Sequence, residues 1–265
     1  MSVLDLTLRQ PPSTRGQPAP AGSLRRRLEA NAAFSPRECA LIDDLVSQNI
    51  GEVAARRDLI REGEKPRHVH VVLEGWACRY KQLPCGRRQI VAFLIPGDLC
   101  NANAFILNAM DHSIGAITRL RHAEIAARRF GDLMDSSPGV TRALWWNELV
   151  GAAIQREWTV NVGKRNAYER IAHLFCEMFA RLDAVGLVQG HGCDWPLTQT
   201  DLADATSLTP VHVNRTLQEL RLDGLIELRG RRLSVPDMAA LQSVAMFSAD
   251  YLHLARPCTR LDAAV

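Results

Sequence analysis

Residues 197–228 read LTQTDLADATSLTPVHVNRTLQELRLDGLIEL, and this span holds two helix starts and one helix stop. Thr198 can cap a first helix, with Asp201 three residues on closing a capping box. That helix runs through QTDLADA, and Thr206 to Leu208 form a short turn. Thr209 followed by Pro210 is the second start: a capping hydroxyl, then proline at the first helical position, where its missing N–H has no helical partner to lose. The second helix continues to about Asp223 and stops at Gly224, where a left-handed cap suits glycine. At roughly 100° per residue, Val213, Leu217 and Leu220 share an inner face. Val211 and Arg215 point the opposite way, with His212, Asn214 and Gln218 also left outward. Two short helices joined by a tight turn, the second exposing polar side chains near its N-terminus, form a helix-turn-helix.

In that motif the second helix enters the major groove of double-stranded DNA and its first two turns touch base edges. The residue types suit the task. Arg215 can offer parallel donors to guanine O6 and N7, Asn214 can read a purine edge, and Val211 can pack on a thymine methyl. Thr198 and Thr209 place hydroxyls and helix N-termini where phosphates would lie. Beyond Gly224, LIELRGRRLSV carries two short apolar runs around Arg229-Gly230-Arg231-Arg232, the pattern of a β-hairpin wing with a basic tip. An ordinary helical hairpin needs neither the second cap nor the basic wing. From Leu197 to Val235, Arg215, Arg221, Arg229, Arg231 and Arg232 are balanced by Asp201, Asp204, Glu219, Asp223 and Glu227. Binding therefore rests on where charge is placed rather than on its amount.

The rest of the chain sets the frame. Its 265 residues suffice for one large or two ordinary domains, 47% are hydrophobic and 23% charged, and the net charge is only +3. No apolar run approaches the roughly 18–20 residues of a membrane helix. The first residues, MSVLDLTLRQPPSTRGQPAPAGS, lack a signal-peptide pattern and read as a disordered tail up to Ser23. A soluble, cytoplasmic protein is expected. Seven cysteines stand at 39, 78, 85, 100, 176, 193 and 258. None forms a Cys-x-x-Cys pair, so neither a zinc knuckle nor a disulfide framework is indicated.

In the N-terminal half, glycines at 63, 75, 86 and 97 punctuate the β-rich runs HVHVVLE, WACRYKQL and RRQIVAFLI. Turn signals at that spacing argue for an antiparallel sandwich or barrel. Two more strands are expected at about 114–119 and 121–127. Ser35, Pro36 and Glu38 start a helix before the strands. The long interruption PGDLCNANAFILNAMDHSI is a candidate ligand-holding segment. From Pro138 to about Gly163 the chain is helical, and Val140, Leu144, Asn147, Gly151, Ile154 and Trp158 follow the four-three steps of a coiled-coil seam. Trp145 and Leu149 widen that apolar face and are expected to lie against the barrel. A hinge near Gly163–Asn166 then leads into the helix KRNAYERIAHLFCEMFARL.

Taken together, REGEKPRHVHVVLEGWACRYKQ, LIPGDLCNANAFI…DHSIGAI and the quoted helix-turn-helix resemble the Crp/Fnr family of bacterial transcription regulators over about residues 25–245. The resemblance implies an α+β chain: an antiparallel, jelly-roll-like β-roll sensor domain (24–137), a dimerisation helix (138–163) and a winged helix-turn-helix (164–245). A C-terminal extension follows at 246–265. It also implies a homodimer on a two-fold symmetric operator, RNA polymerase as a partner, and control by a small-molecule effector in the roll. Carried over by position, Thr198, Gln199 and Thr209 meet phosphate, Val211, Asn214 and Arg215 read bases, and Arg229 and Arg231 lie on the wing. Asn101, Ala102, Asn103, His112 and Ser113 occupy the effector segment. Cyclic-AMP-binding members hold the ribose with a Glu and the phosphate with an Arg, where this chain has Ala102 and His112; Ser113 remains. Those replacements argue against cyclic AMP. Val211 stands where the family reads a base with Glu, so the operator should differ at that base. Only Cys39 lies in the N-terminal segment where the oxygen-sensing branch clusters its iron–sulfur ligands, so that cofactor is not expected.

Three alternatives follow from single features. His68 and His70 share a strand face that His112 or His122 can approach, which suits a haem or metal sensor, but the sequence fixes no third ligand. Cys85, at the hairpin tip PCG with Cys78 upstream, suits a thiol switch. A cupin-like enzyme would need clustered His and carboxylate ligands, which the strands do not offer as sequence. An effector-independent DNA-binding protein is the remaining variant. No cofactor, no metal ligand set and no enzymatic activity are expected.

Overall fold

The computed structural model describes residues 22–30, 32–102, 106–107 and 109–254. The tail as far as residue 21, the effector candidate Asn103, Cys258 and the end of the C-terminal extension lie outside the described residues.

Seven strands build the roll: β1 (Ile50–Val53), β2 (Asp58–Ile60), β3 (His68–Glu74), β4 (Ala77–Gln82), β5 (Arg88–Leu94), β6 (Ser113–Ala116) and β7 (Leu120–Ala126). They pair into two antiparallel sheets, ordered β1-β7-β3 and β2-β6-β4-β5. The four punctuating glycines all sit at positive φ, from 84° to 95°. Gly75 shows why: a Cβ there would lie 2.2 Å from the carbonyl oxygen of Arg119, so the residue must be both left-handed and bare. Val72 and Leu120 of the first sheet meet Leu94 and Ile114 of the second in the core between them. The opposite face of the first sheet, with Val69, Val71, Ala123 and Ile125, is covered by α1 (Ser23–Glu29), α2 (Pro36–Ser47) and α3 (Ala127–Ser136). Helix α2 has the expected Ser35–Glu38 capping box and Pro36 in its first turn. Helix α1 was not expected, because seven residues give a helical period too little length to show.

Helix α4 (Pro138–Lys164) follows, capped by Ser137, whose hydroxyl accepts the Val140 N–H. Here the expected seam is corrected. Val140, Leu144, Asn147, Ile154 and Trp158 are buried within this one chain. Trp145 and Leu149 do not lie against the roll: they are 61% and 64% exposed. The helix is apolar on more than one side, so periodicity finds stripes without saying which one the chain keeps for itself.

The C-terminal half holds α5 (Ala167–Ala184), β8 (Val188–Gln189), β9 (Gly192–Asp194), α6 (Gln199–Thr206), α7 (Pro210–Leu222), β10 (Glu227–Arg229), β11 (Arg232–Ser234) and α8 (Met238–Ala245). The turn between α4 and α5 is where the hinge was placed, with Asn166 and Glu169 forming a capping box for α5. The wing is larger than a hairpin: β8 and β9 extend it to four strands in the order β10-β11-β9-β8. Nor does the folded part stop at residue 245, since a 3-10 turn, Ala249–Leu252, packs back with Leu252 buried and the Tyr251 hydroxyl donating to Glu177 at 2.9 Å.

The roll and the C-terminal half do not own separate cores. Trp76 and Phe93 of the roll join Trp158 of α4 and Phe175 and Trp195 of the C-terminal half in one cluster. The rings of Trp76 and Trp195 stand edge to face with centroids 5.9 Å apart, and those of Phe93 and Trp158 likewise at 5.9 Å.

Candidate nucleic-acid interface

The quoted span folds as its caps dictate. The Thr198 hydroxyl accepts the Asp201 N–H and donates to the Asp201 carboxylate, closing the capping box of α6. Ser207 makes the left-handed turn at φ 55°, and Thr209 caps α7 by accepting the His212 N–H. Gly224 follows the helix at φ 70°. The α7 side chains divide sharply. Val213, Thr216, Leu217 and Leu220 are buried, whereas Val211, His212, Asn214, Arg215 and Gln218 are exposed.

Val211 is 80% exposed, an apolar side chain left in water at the start of the helix. Arg215 is extended alongside Glu219, with its Nε 3.3 Å from the carboxylate, and it is otherwise free in solvent. Thr198, Gln199 and Thr209 are exposed at the two helix N-termini. Arg229 and Arg231 flank the wing tip, where Gly230 and Arg231 both adopt positive φ, 57° and 63°, between the paired residues Arg229 and Arg232. Two consecutive left-handed residues give the tight turn whose twist matches a hairpin. The exposed face of α7 thus stands with a basic wing loop in the same half of the chain, residue types that suit a major-groove reader with a flank for phosphates.

Arg170 is a positioning residue that the sequence reading missed. Its guanidinium donates to the carbonyls of Val162 and Arg165 at the end of α4 and of Thr206 at the end of α6, at 2.7–2.9 Å. One side chain therefore ties the hinge to the turn of the helix-turn-helix. A second set joins the motif to the roll. Arg56 makes a two-pronged contact with Asp201 at 2.6 and 2.9 Å, and Arg88 reaches Asp204 at 2.8 Å. Burial works to raise the Asp201 carboxyl, but Arg56 and the Thr198 N–H and hydroxyl outweigh it and hold it below the usual range.

The effector segment is arranged differently from the expectation. Asn101 is a structural clip: its side chain accepts the His70 N–H and donates to the His68 carbonyl, both at 2.8 Å. Ser113 is buried, and its hydroxyl accepts the Glu62 N–H. Ala102 has no polar side-chain atom. His112 lies 2.6 Å from the Asp111 carboxylate, and burial lowers its pKa. His112 thus lacks the fixed positive charge and paired donors that suit a cyclic phosphate, and the adjacent Asp111 carboxylate would repel one.

His112 does not approach the other histidines, but His122 does. Its Nδ1 is 3.2 Å from His70 Nδ1, and Glu124 completes a cluster that the strand sequences did not reveal. Burial, with the nearby His122 and His68, lowers the His70 pKa to about 4. Among the thiols, Cys85 is exposed and its Sγ accepts from Arg87 Nε at 3.2 Å, which lowers its pKa. Cys78 is buried and pushed up to about 12, so it offers Cys85 no reactive partner.

Comparison with known proteins places these features in a family context. Residues 169–244 match the Crp-like helix-turn-helix domain and residues 51–137 the cyclic nucleotide-binding domain. The chain is 32% identical over 191 residues to the transcriptional activator protein FnrL of Cereibacter sphaeroides, covering 71% of this chain and 76% of that protein. It is also 32% identical over 176 residues to the nitrogen fixation regulation protein FixK of Bradyrhizobium diazoefficiens, covering 66% of this chain and 72% of that one. In fold it is similar to the structure of FixK2 from Bradyrhizobium japonicum, with a TM-score of 0.68 at 23% identity over 76% of this chain and 98% of the other. Among the described residues, no helix is long and apolar enough to cross a membrane.

Proposed function

We propose, since this chain belongs to the Crp/Fnr family of DNA-binding transcription regulators, that two copies of it read a two-fold symmetric operator through α7. The observation that carries this reading is the division of α7 into a buried apolar face and an exposed face of Val211, His212, Asn214, Arg215 and Gln218. The roles follow the chemistry. Arg215 and Asn214 read base edges, Val211 packs on a thymine methyl, and Thr198, Gln199, Thr209, Arg229 and Arg231 hold phosphates. The protein acts by binding, with no catalytic step, in the cytoplasm and with RNA polymerase as a further partner.

Selection of the purified full-length protein on a random DNA pool at physiological salt tests this. The expected product is a symmetric motif whose half-sites lie about one helical turn, roughly 34 Å, apart. An asymmetric single site would refute the dimeric reader.

The dimer seam in this proposal is the exposed stripe of α4, not the buried one. Trp145, Leu149, Ala152, Arg156 and Val160 succeed one another at helical steps of three or four, and the three large apolar members are 46–64% exposed. An apolar ridge of this length calls for a partner, and a second copy supplies the same ridge. Leu149→Glu is expected to yield monomers by sedimentation velocity while leaving the fold intact. A variant that remained dimeric would place the interface elsewhere.

Control by a signal at the roll follows the same architecture. The contacts that would transmit it are Arg56 with Asp201, Arg88 with Asp204, and Trp76 with Trp195. A coupling of about 1–3 kcal/mol across them changes operator affinity by about 5–150-fold.

A further inference from the structure

Strand β7 runs between β1 and β3, with Gly51 opposite His122 and His70 opposite Glu124. His122 and Glu124 are two residues apart, so they share a face with Leu120; on β3, His70 shares a face with Val72. Leu120 and Val72 belong to the core between the sheets. Register and pleat thus aim two imidazoles and one carboxylate at the same point inside the wall of the roll.

We infer that His70, His122 and Glu124 bind a divalent first-row transition-metal cation. One donor atom from each residue lies within 4.8 Å of the others, and the two Nδ1 atoms are 3.2 Å apart. Metal–nitrogen bonds of about 2.0–2.1 Å separate the ligand atoms of a tetrahedral site by about 3.3 Å, so the imidazoles already stand at ligand spacing. A pair of imidazoles with one carboxylate is a borderline donor set that suits Zn2+ or Fe2+ and discriminates against Mg2+ and Ca2+.

The surroundings are built to hold this arrangement. A Cβ at position 51 would lie 2.6 Å from His122 Cε1, 2.7 Å from its Nε2 and 2.8 Å from Glu124 Oε1, so the bare backbone of Gly51 is what lets both side chains occupy this spot. The Asn49 side-chain amide donates to Glu124 Oε2 at 3.3 Å and orients the carboxylate. Behind His70, its N–H donates to Asn101, and its carbonyl accepts the Cys100 N–H at 2.8 Å. The backbone of one ligand is therefore clamped by the segment that follows β5. His68 lies one step along the same strand face, with its ring 6.3 Å from that of His70.

The site is independent of the DNA-binding reading, and its test needs no operator. The full chain, stripped with a chelator, is titrated with Zn2+ by calorimetry and with Co2+ by visible absorption, with Mg2+ as control. The expected result is one Zn2+ per protomer, a tetrahedral-type Co2+ spectrum and no response to Mg2+. Glu124→Gln and His122→Asn should each weaken Zn2+ at least about tenfold and abolish the Co2+ bands. Glu124 is only half-buried, so E124Q carries the test if H122N fails to fold. Gly51→Ala should weaken Zn2+ as well, although every ligand is retained. Absence of Zn2+ binding to the unmodified chain overturns the site, leaving a plain histidine–histidine hydrogen bond. Zn2+ affinity unchanged in E124Q and H122N overturns it too, by placing the ion elsewhere.

Discussion

Asp98→Ala should lower the folding stability of this protein by about 3–5 kcal/mol, read as a large fall in the urea midpoint. Asp98 follows β5, and its side chain is 4% exposed. One carboxylate oxygen lies 2.8 Å from Arg27 of α1, and the other accepts from Arg181 of α5 at 2.9 Å and from the Ile95 N–H at 2.8 Å. Burial pulls the Arg27 guanidinium down while Asp98 pulls it back up. Removing the carboxylate leaves the buried Arg181 guanidinium with Glu177, at 3.4 Å, as its counter-charge, and takes the counter-charge from the partly buried Arg27, whose Nε still donates to Asn147 at 2.9 Å. The cost is that of an uncompensated buried charge, not of the lost contact alone. Asp98→Asn retains acceptors but no charge and should fall between. A loss below about 1 kcal/mol for the alanine variant would show that water or rearranged side chains neutralise the hub.

Arg215→Ala is the counterpart on the functional face. Its side chain is 81% exposed and pairs only with Glu219, so stability should stay within about 0.5 kcal/mol. Operator affinity should fall by about 1–3 kcal/mol, on the order of 5–150-fold, with base preference lost at one position of each half-site. Arg231→Ala at the wing tip should instead weaken all sequences alike and reduce the salt slope by about one. Competition binding against operators altered one base at a time separates the two. An Arg215→Ala protein with unchanged base preference would remove that residue from the reading set.

What could be read from the sequence was local chemistry. Thr198 with Asp201, Thr209 with Pro210, Ser35 with Glu38 and the stop at Gly224 are each settled within a few residues, and all four appear as expected. Three of them delimit the helix-turn-helix, which with the resemblance of the whole chain carried the regulator class. Strands β8 and β9, of two and three residues, are too short to show alternation. The sequence could not say which stripe of α4 the chain buries in its own core, because Trp145 and Leu149 are as apolar as Leu144 and Trp158, and only packing tells them apart. Longer-range features were beyond sequence logic. Arg181 meets Asp98 across 83 positions and His70 meets His122 across 52, each brought together by the fold rather than by spacing. Asn101 and Ser113 were placed in the effector segment by position, yet their hydrogen bonds serve the strands around them.

The common core beneath Trp76, Phe93, Phe175 and Trp195 bears on modularity. Sensor and reader look like interchangeable parts when drawn as boxes along the chain, but here each is finished by the other's aromatic rings. A chimera that joined residues 164–254 to a roll from a relative would set Trp195 against foreign side chains. For the graft to fold, the positions of Trp76 and Phe93 would have to travel with it. In this protein the transplantable unit is the interface, not the domain.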